Sequence, residues 1–211
     1  MKLINLVKLV AVLAVGSAYA QAVPITGSKH DFSSTGLSNS FGATGNNEIC
    51  VYCHTPHNTL EGDSILWNRN DPTGPYTVYS SWALNADVTG GPGGGSLSCL
   101  SCHDGSIGVN SVYNAPSAGT WDGSKKILAT DGGYVGTNLS NDHPIGFDYT
   151  DALAVEDGEL VLPGAYGANL TGGVHLLGQA LECGSCHDVH SNEFPPFLAM
   201  ANDNSAMCLA C

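Results

Sequence analysis

Apolar residues are concentrated at the start of the chain and scattered after it. Leu9 to Val15 is an unbroken apolar run, preceded by Lys2 and Lys8 and followed by Ala18-Tyr19-Ala20. A positive start, a short apolar stretch and a small-x-small site are the layout of a secretory signal. The run falls short of the roughly 20 residues a membrane span needs. The expectation is therefore a signal peptide over residues 1–20, cleavage before Gln21, and no membrane span once the signal is removed. An uncleaved N-terminal anchor is the bland alternative.

Past residue 20 no segment sustains a period of 3.6 or of 2, so neither long helices nor long strands are predicted. Short apolar patches alternate with Gly, Ser, Asn and Asp. Gly90-Gly91-Pro92-Gly93-Gly94-Gly95 reads as a flexible joint, and the long stretch 104–182 as mostly turns. Short strands are predicted near Lys126–Thr130 and Glu159–Leu162. One domain over 21–211 is expected, made mostly of loops with a few short strands.

Composition sharpens this picture. Only 12% of residues are charged while glycine numbers 27, so a peptide core looks thin for the length and something other than side chains should fill the interior. The formal net charge is −13. Losing Lys2 and Lys8 would take it from −13 to −15. Such a chain is a poor ligand for nucleic acid, whose phosphates demand Lys and Arg, and for anionic membrane surfaces. It suits cationic partners.

Eight cysteines in an exported chain would ordinarily read as disulfides, yet all fall in pairs two residues apart. Cys50-Val51-Tyr52-Cys53-His54, Cys99-Leu100-Ser101-Cys102-His103 and Cys183-Gly184-Ser185-Cys186-His187 share the pattern Cys-x-x-Cys-His. This is the attachment pattern for c-type haem. Two thiols add to the two vinyl groups of one porphyrin, and the next residue presents an imidazole to the iron. One helical turn must span both vinyl groups, so short helices are predicted at the motifs. A His after a CxxC arises by chance roughly once in forty, so three together are specific. Structural zinc does not require His at that place, and a thioredoxin-like site would come once, in a βαβ setting. The motif starts follow no fixed period, so no solenoid is implied.

The fourth pair is Cys208-Leu209-Ala210-Cys211. Three complete motifs set the precedent that a His follows it in a longer chain, which makes four haems. A terminal disulfide or a site without its ligand is the alternative.

Haem iron takes an axial ligand on each face. Beside His54, His103 and His187, five histidines remain: His30, His57, His143, His175 and His190. Four haems need four second ligands, so the count supports bis-His ligation with one His spare. His57 and His190 lie three residues after a proximal His, on one face of a turn and roughly 5–6 Å from it. A side chain so placed cannot pass round the porphyrin to the far side of the same iron, but it can reach the iron of a neighbouring haem. Each CxxCHxxH segment would then hold two haems close. Pro144 keeps the backbone at His143 extended, which suits a ligand delivered from a loop. His175 is either the spare or a ligand. Met200 and Met207, Trp67, Trp82 and Trp121 read as packing residues rather than ligands or relays. Asn68-Arg69-Asn70-Asp71 matches no calcium loop and reads as a solvated turn.

With these residues in place, the chain resembles the multihaem c-type cytochromes of metal-respiring bacteria. The likeness runs through Lys29-His30-Asp31, Cys50–Asn58, Leu66-Trp67-Asn68-Arg69, Cys99–Gly105, Asn141–Phe147, Cys183–His190 and Cys208–Cys211. It is strongest to tetrahaem outer-surface cytochromes that polymerise into extracellular conducting filaments. The resemblance implies an irregular fold with its core filled by haems, and His30, His57, His143 and His190 as distal ligands. It also implies self-assembly, with one ligand open to come from a second copy. The function expected is electron transfer in periplasmic or extracellular respiration, with redox proteins or extracellular acceptors as partners, and not an enzyme. The alternative is a multihaem reductase of a small oxyanion or nitrogen compound, which needs one open iron face. A zinc or disulfide scaffold is the third reading.

Overall fold

The structure is a computed structural model that describes residues 25–60, 65–163 and 170–211. The export signal expected over residues 1–20 lies outside the described residues.

Irregular backbone dominates, and what regular structure there is clusters at the cysteines. Helix α1 spans Gly94–His103, α2 spans Asp151–Asp157 and α3 spans Cys183–Cys186. Single 3-10 turns cover Cys50–Tyr52 and Cys208–Ala210. Each of the four Cys pairs thus sits on a helical turn, as a two-residue gap between cysteines requires. A two-residue antiparallel sheet pairs β1 (Phe147–Asp148) with β2 (Ala180–Leu181), Phe147 opposite Leu181.

The two strands predicted near Lys126–Thr130 and Glu159–Leu162 do not form. Each segment instead makes isolated contacts. Val109 N–H donates to Lys125 O at 2.7 Å, and Val161 N–H donates to Cys211 O. One bond without a neighbouring rung is a tether, not a ladder. Helix α2 was not predicted. Thr150 caps it by accepting from Leu153 N–H at 3.2 Å, and Gly158 ends it at φ +78°, a left-handed stop that glycine tolerates.

Two small apolar cores lie along the chain. One gathers Phe32, Ala43, Tyr52, Val109 and Ile127, with Cys53, Cys102 and Trp121 packed against it. The other gathers Val88, Phe147, Tyr149, Val174, Leu176, Leu181 and Met207, with Cys186 and Cys211 at its edge. The second cysteine of every pair therefore flanks a core. Met207 is packing, as expected, while Trp82 is 99% exposed and packs on nothing among the described residues.

Tyr52, between the first two cysteines, is the hub of the first core. Its hydroxyl donates to Phe32 O at 3.2 Å and accepts from Ala43 N–H at 2.8 Å. The ring stands edge-on to Phe32 at 5.3 Å and beside Trp121 at 5.0 Å. Removing the hydroxyl leaves a buried N–H and a buried carbonyl unmatched, at about 1–3 kcal/mol. Tyr52→Phe should lower the urea midpoint accordingly without altering the slope; an unchanged midpoint would show that the hub carries no stability.

Candidate functional site

Helix α1 has the sequence Gly-Gly-Ser-Leu-Ser-Cys-Leu-Ser-Cys-His, a poor helix former on propensity alone. Its N-cap, Gly93, has no side chain to offer. The cap comes from another part of the chain. Glu182, just before α3, accepts from Gly93 N–H at 3.2 Å and from the Ser96 hydroxyl. Ser96 Oγ in turn accepts from Cys183 N–H at 3.0 Å. Glu182 also forms a capping box with Ser185 on its own helix. The side chain is 4% exposed, so one buried carboxylate closes the N-termini of both motif helices. Small residues let them approach, and a Cβ at Gly93 would overlap the Glu182 carboxylate.

The sulfurs follow from this docking. Cys99 and Cys183 are hydrogen-bonded to one another; the bond lowers the Cys183 thiol pKa and raises that of Cys99. Burial pushes Cys53 up to about 12 and Cys186 up to about 11. No cysteine among the eight is in a disulfide, including the Cys208 and Cys211 pair. The sulfurs are thus thiols free to form two thioethers per motif.

Four of the eight histidines lie in two close pairs. His54 and His190 have ring centres 6.1 Å apart with planes 15° from parallel. His30 and His103 have centres 5.9 Å apart at 47°. A metal bonded to one nitrogen of each ring at about 2.0 Å, with about 1.1 Å from nitrogen to ring centre, puts the centres about 6.2 Å apart. The two observed separations, 6.1 Å and 5.9 Å, are close to that value. No group of three or more His, Cys, Asp or Glu among the described residues gathers to hold a bare metal ion.

A backbone carbonyl sits at the second nitrogen of each proximal ring. His54 Nδ1 lies 2.8 Å from Ile65 O, His103 Nδ1 2.6 Å from Gly133 O, and His187 Nδ1 3.2 Å from Pro196 O. A carbonyl only accepts, so each Nδ1 donates, which leaves Nε2 as the nitrogen that can meet a metal. This is the second contact a metal-binding imidazole ordinarily makes. His190 Nδ1 is 3.3 Å from Asp188 Oδ1. His143 Nδ1 bonds Pro144 O at 2.8 Å.

His30 is held neutral. Burial, then the neighbouring His103, His187 and His190, lowers its pKa to about 4. A neutral ring is the form that binds metal. Its Nδ1 and the Trp67 Nε1 are buried without a hydrogen-bond partner. Both orphans lie at the pairs, since Trp67 stands edge-on to His54 at 6.1 Å. The residues present fit covalently held haem.

The third segment, Cys183–His190, ties the site together. It carries His187, sends His190 to His54, and is followed by Phe197, whose ring meets His30 at 4.6 Å. His57 and His143 are exposed and His175 is half-buried; the structure sets no second imidazole ring beside them. His175 Nδ1 reaches Gly173 O only at 3.5 Å. The supposed solvated turn at Asn68-Arg69 is a correction: Asn68 and Arg69 are 0% and 1% exposed. Asn68 bonds Val51 O and Asn114, and Arg69 bonds Ser101, Gly108 and Val109, a use the local Asn/Asp richness concealed. Glu182, adjoining Cys183, was also missed, since a lone acidic residue carries no signal of its distant partners.

Compared with known proteins, the chain matches no family model and no curated protein.

Glu182→Ala should cost at least about 2 kcal/mol, because buried donors lose a charged acceptor. Glu182→Gln should cost less, and exposed Glu193→Ala should stay within about 0.5 kcal/mol. Urea unfolding of the mature protein measures all three, and equal midpoints for Glu182→Ala and Glu193→Ala would remove Glu182 from this role.

Proposed function

We propose that the chain is an exported c-type cytochrome that passes electrons through several covalently attached, bis-His ligated haems. The observation that carries this reading is the facing of His103 by His30 and of His54 by His190, two pairs drawn from four separate segments. A bound haem would supply a one-electron iron couple.

Cys50 and Cys53 would hold one porphyrin, with His54 and His190 as its axial ligands. Cys99 and Cys102 would hold a second, with His103 and His30. Cys183 and Cys186 with His187 would hold a third, and Cys208 and Cys211 a fourth. His143, His57 and His175 are the remaining imidazoles for the third and fourth sites. The carbonyls of Ile65, Gly133 and Pro196 would orient the proximal rings and hold their Nδ1 protons. The closeness of His30, His103, His187 and His190 supports closely spaced irons, which electron hopping needs. Ligands on both faces favour a carrier over a reductase. Periplasmic or outer-surface electron transfer, redox proteins or extracellular acceptors as partners, and self-assembly into filaments belong to the same reading.

Pyridine haemochrome and intact mass of the secreted protein should give a c-type band and the added mass of several haems. The oxidised protein should show only low-spin electron paramagnetic resonance signals. His190→Ala and His30→Ala should each convert one haem to a high-spin form. A bare peptide mass would refute the reading, and a ligand-exchangeable high-spin haem in the unaltered protein would favour the reductase.

A further inference from the structure

Arg69 is accounted for neither by the attachment motifs nor by the imidazole pairs. Its Nε donates to Ser101 Oγ at 3.0 Å, Nη1 to Val109 O at 2.7 Å, and Nη2 to Ser101 O at 3.2 Å and Gly108 O at 2.9 Å. Every one of these acceptors is a neutral oxygen, and no carboxylate forms an ion pair with it among the described residues. Taking an ion out of water costs several kcal/mol. Neutral donors could serve neutral acceptors, so the charge itself needs a reason.

Position supplies one. The preceding residue, Asn68, donates from its N–H to Cys53 O at 2.9 Å and from Nδ2 to Val51 O at 2.8 Å. Ser101 lies between Cys99 and Cys102. The guanidinium is therefore bonded to the second motif while the residue before it is bonded to the first, and the second cysteines of both motifs flank the same core.

We propose that Arg69 is a fixed buried cation that raises the reduction potential of the haems held at Cys50–His54 and Cys99–His103. The inference rests on the haem reading above. A nearby positive charge disfavours Fe(III) more than Fe(II), and a low-dielectric interior extends its reach. Arg69 thus favours the gain of one electron at each iron, Fe(III) to Fe(II), the electron coming from a redox protein or an electrode. No proton moves, because arginine stays charged throughout.

The test is potentiometric titration of the full-length haem-loaded protein, followed by visible and electron paramagnetic resonance spectra, with haem content measured first. Absence of haem from the unaltered protein would sink the functional reading and this inference with it, whereas haem present with potentials that Arg69 does not move would sink this inference alone. Arg69→Gln should lower two of the potentials by at least tenfold in equilibrium constant, 59 mV for one electron. Ser101→Asp, which sets a carboxylate at Nε and keeps the arginine, should lower the same two. Arg69→Lys should keep the parent values to within half that shift. Haem-loaded Arg69→Gln with unchanged potentials, or with every haem shifted alike, overturns the proposal. Should Arg69→Gln fail to load haem, Ser101→Asp decides. Failure of both to load assigns Arg69 to folding alone and overturns it equally.

Discussion

Glu182 buries a carboxylate where the N-termini of α1 and α3 meet, and the rest of the described chain hangs on that junction. The bonds it makes to Gly93 and Ser96 span 89 and 86 residues of chain. Neither helix has the composition to stand alone. α1 is Gly- and Ser-rich, and α3 is one turn long. A single anion facing both positive helix ends stabilises each and fixes the second and third Cys pairs side by side. From there Cys102 reaches the first core and Cys186 the second, so the two cores are joined through the motifs rather than through a shared apolar interior.

That arrangement explains why so little hydrophobic packing suffices to define a geometry. The buried side chains are rich in Ser, Asn and Asp, and their bonds run mostly to backbone. Asp31 accepts from Gly27 N–H and Ser33 N–H and so shapes the turn that presents His30. Asn68 ties the segment that carries Trp67 to the first motif, and His54 and Trp67 pair as an isolated bridge. Irregular segments are positioned by polar contacts of one or two bonds each, so rings from distant segments come to face one another.

Much of this was legible in the sequence, for a physical reason. Cys-x-x-Cys-His is a local constraint: it sets a helical turn wherever it occurs, and all four Cys pairs lie on one. The i+3 relation of His187 and His190 gave the expectation that His190 reaches a haem other than its own, and the structure sets its ring 6.1 Å from that of His54. By contrast, the strands predicted at Lys126–Thr130 and Glu159–Leu162 failed because a short apolar run shows that a segment can pair, not that a neighbour is in register beside it. Arg69 was illegible because its partners, Ser101, Gly108 and Val109, lie across the chain and offer mainly main-chain oxygen. His30 with His103 was beyond reach for the same reason. Nothing local marks the ring that a distant turn will deliver.

The imidazoles of His54, His103 and His187 are oriented by main-chain oxygens of residues 65, 133 and 196, and this bears on how such an arrangement tolerates drift. A carbonyl is the same whatever side chain it carries. Ile65, whose side chain is 81% exposed, can be exchanged freely provided the loop keeps its course. Gly133, at φ +91°, cannot, because the course itself needs glycine. The support of each ring is thus inherited as a path of backbone, and related chains can preserve it while sharing few letters.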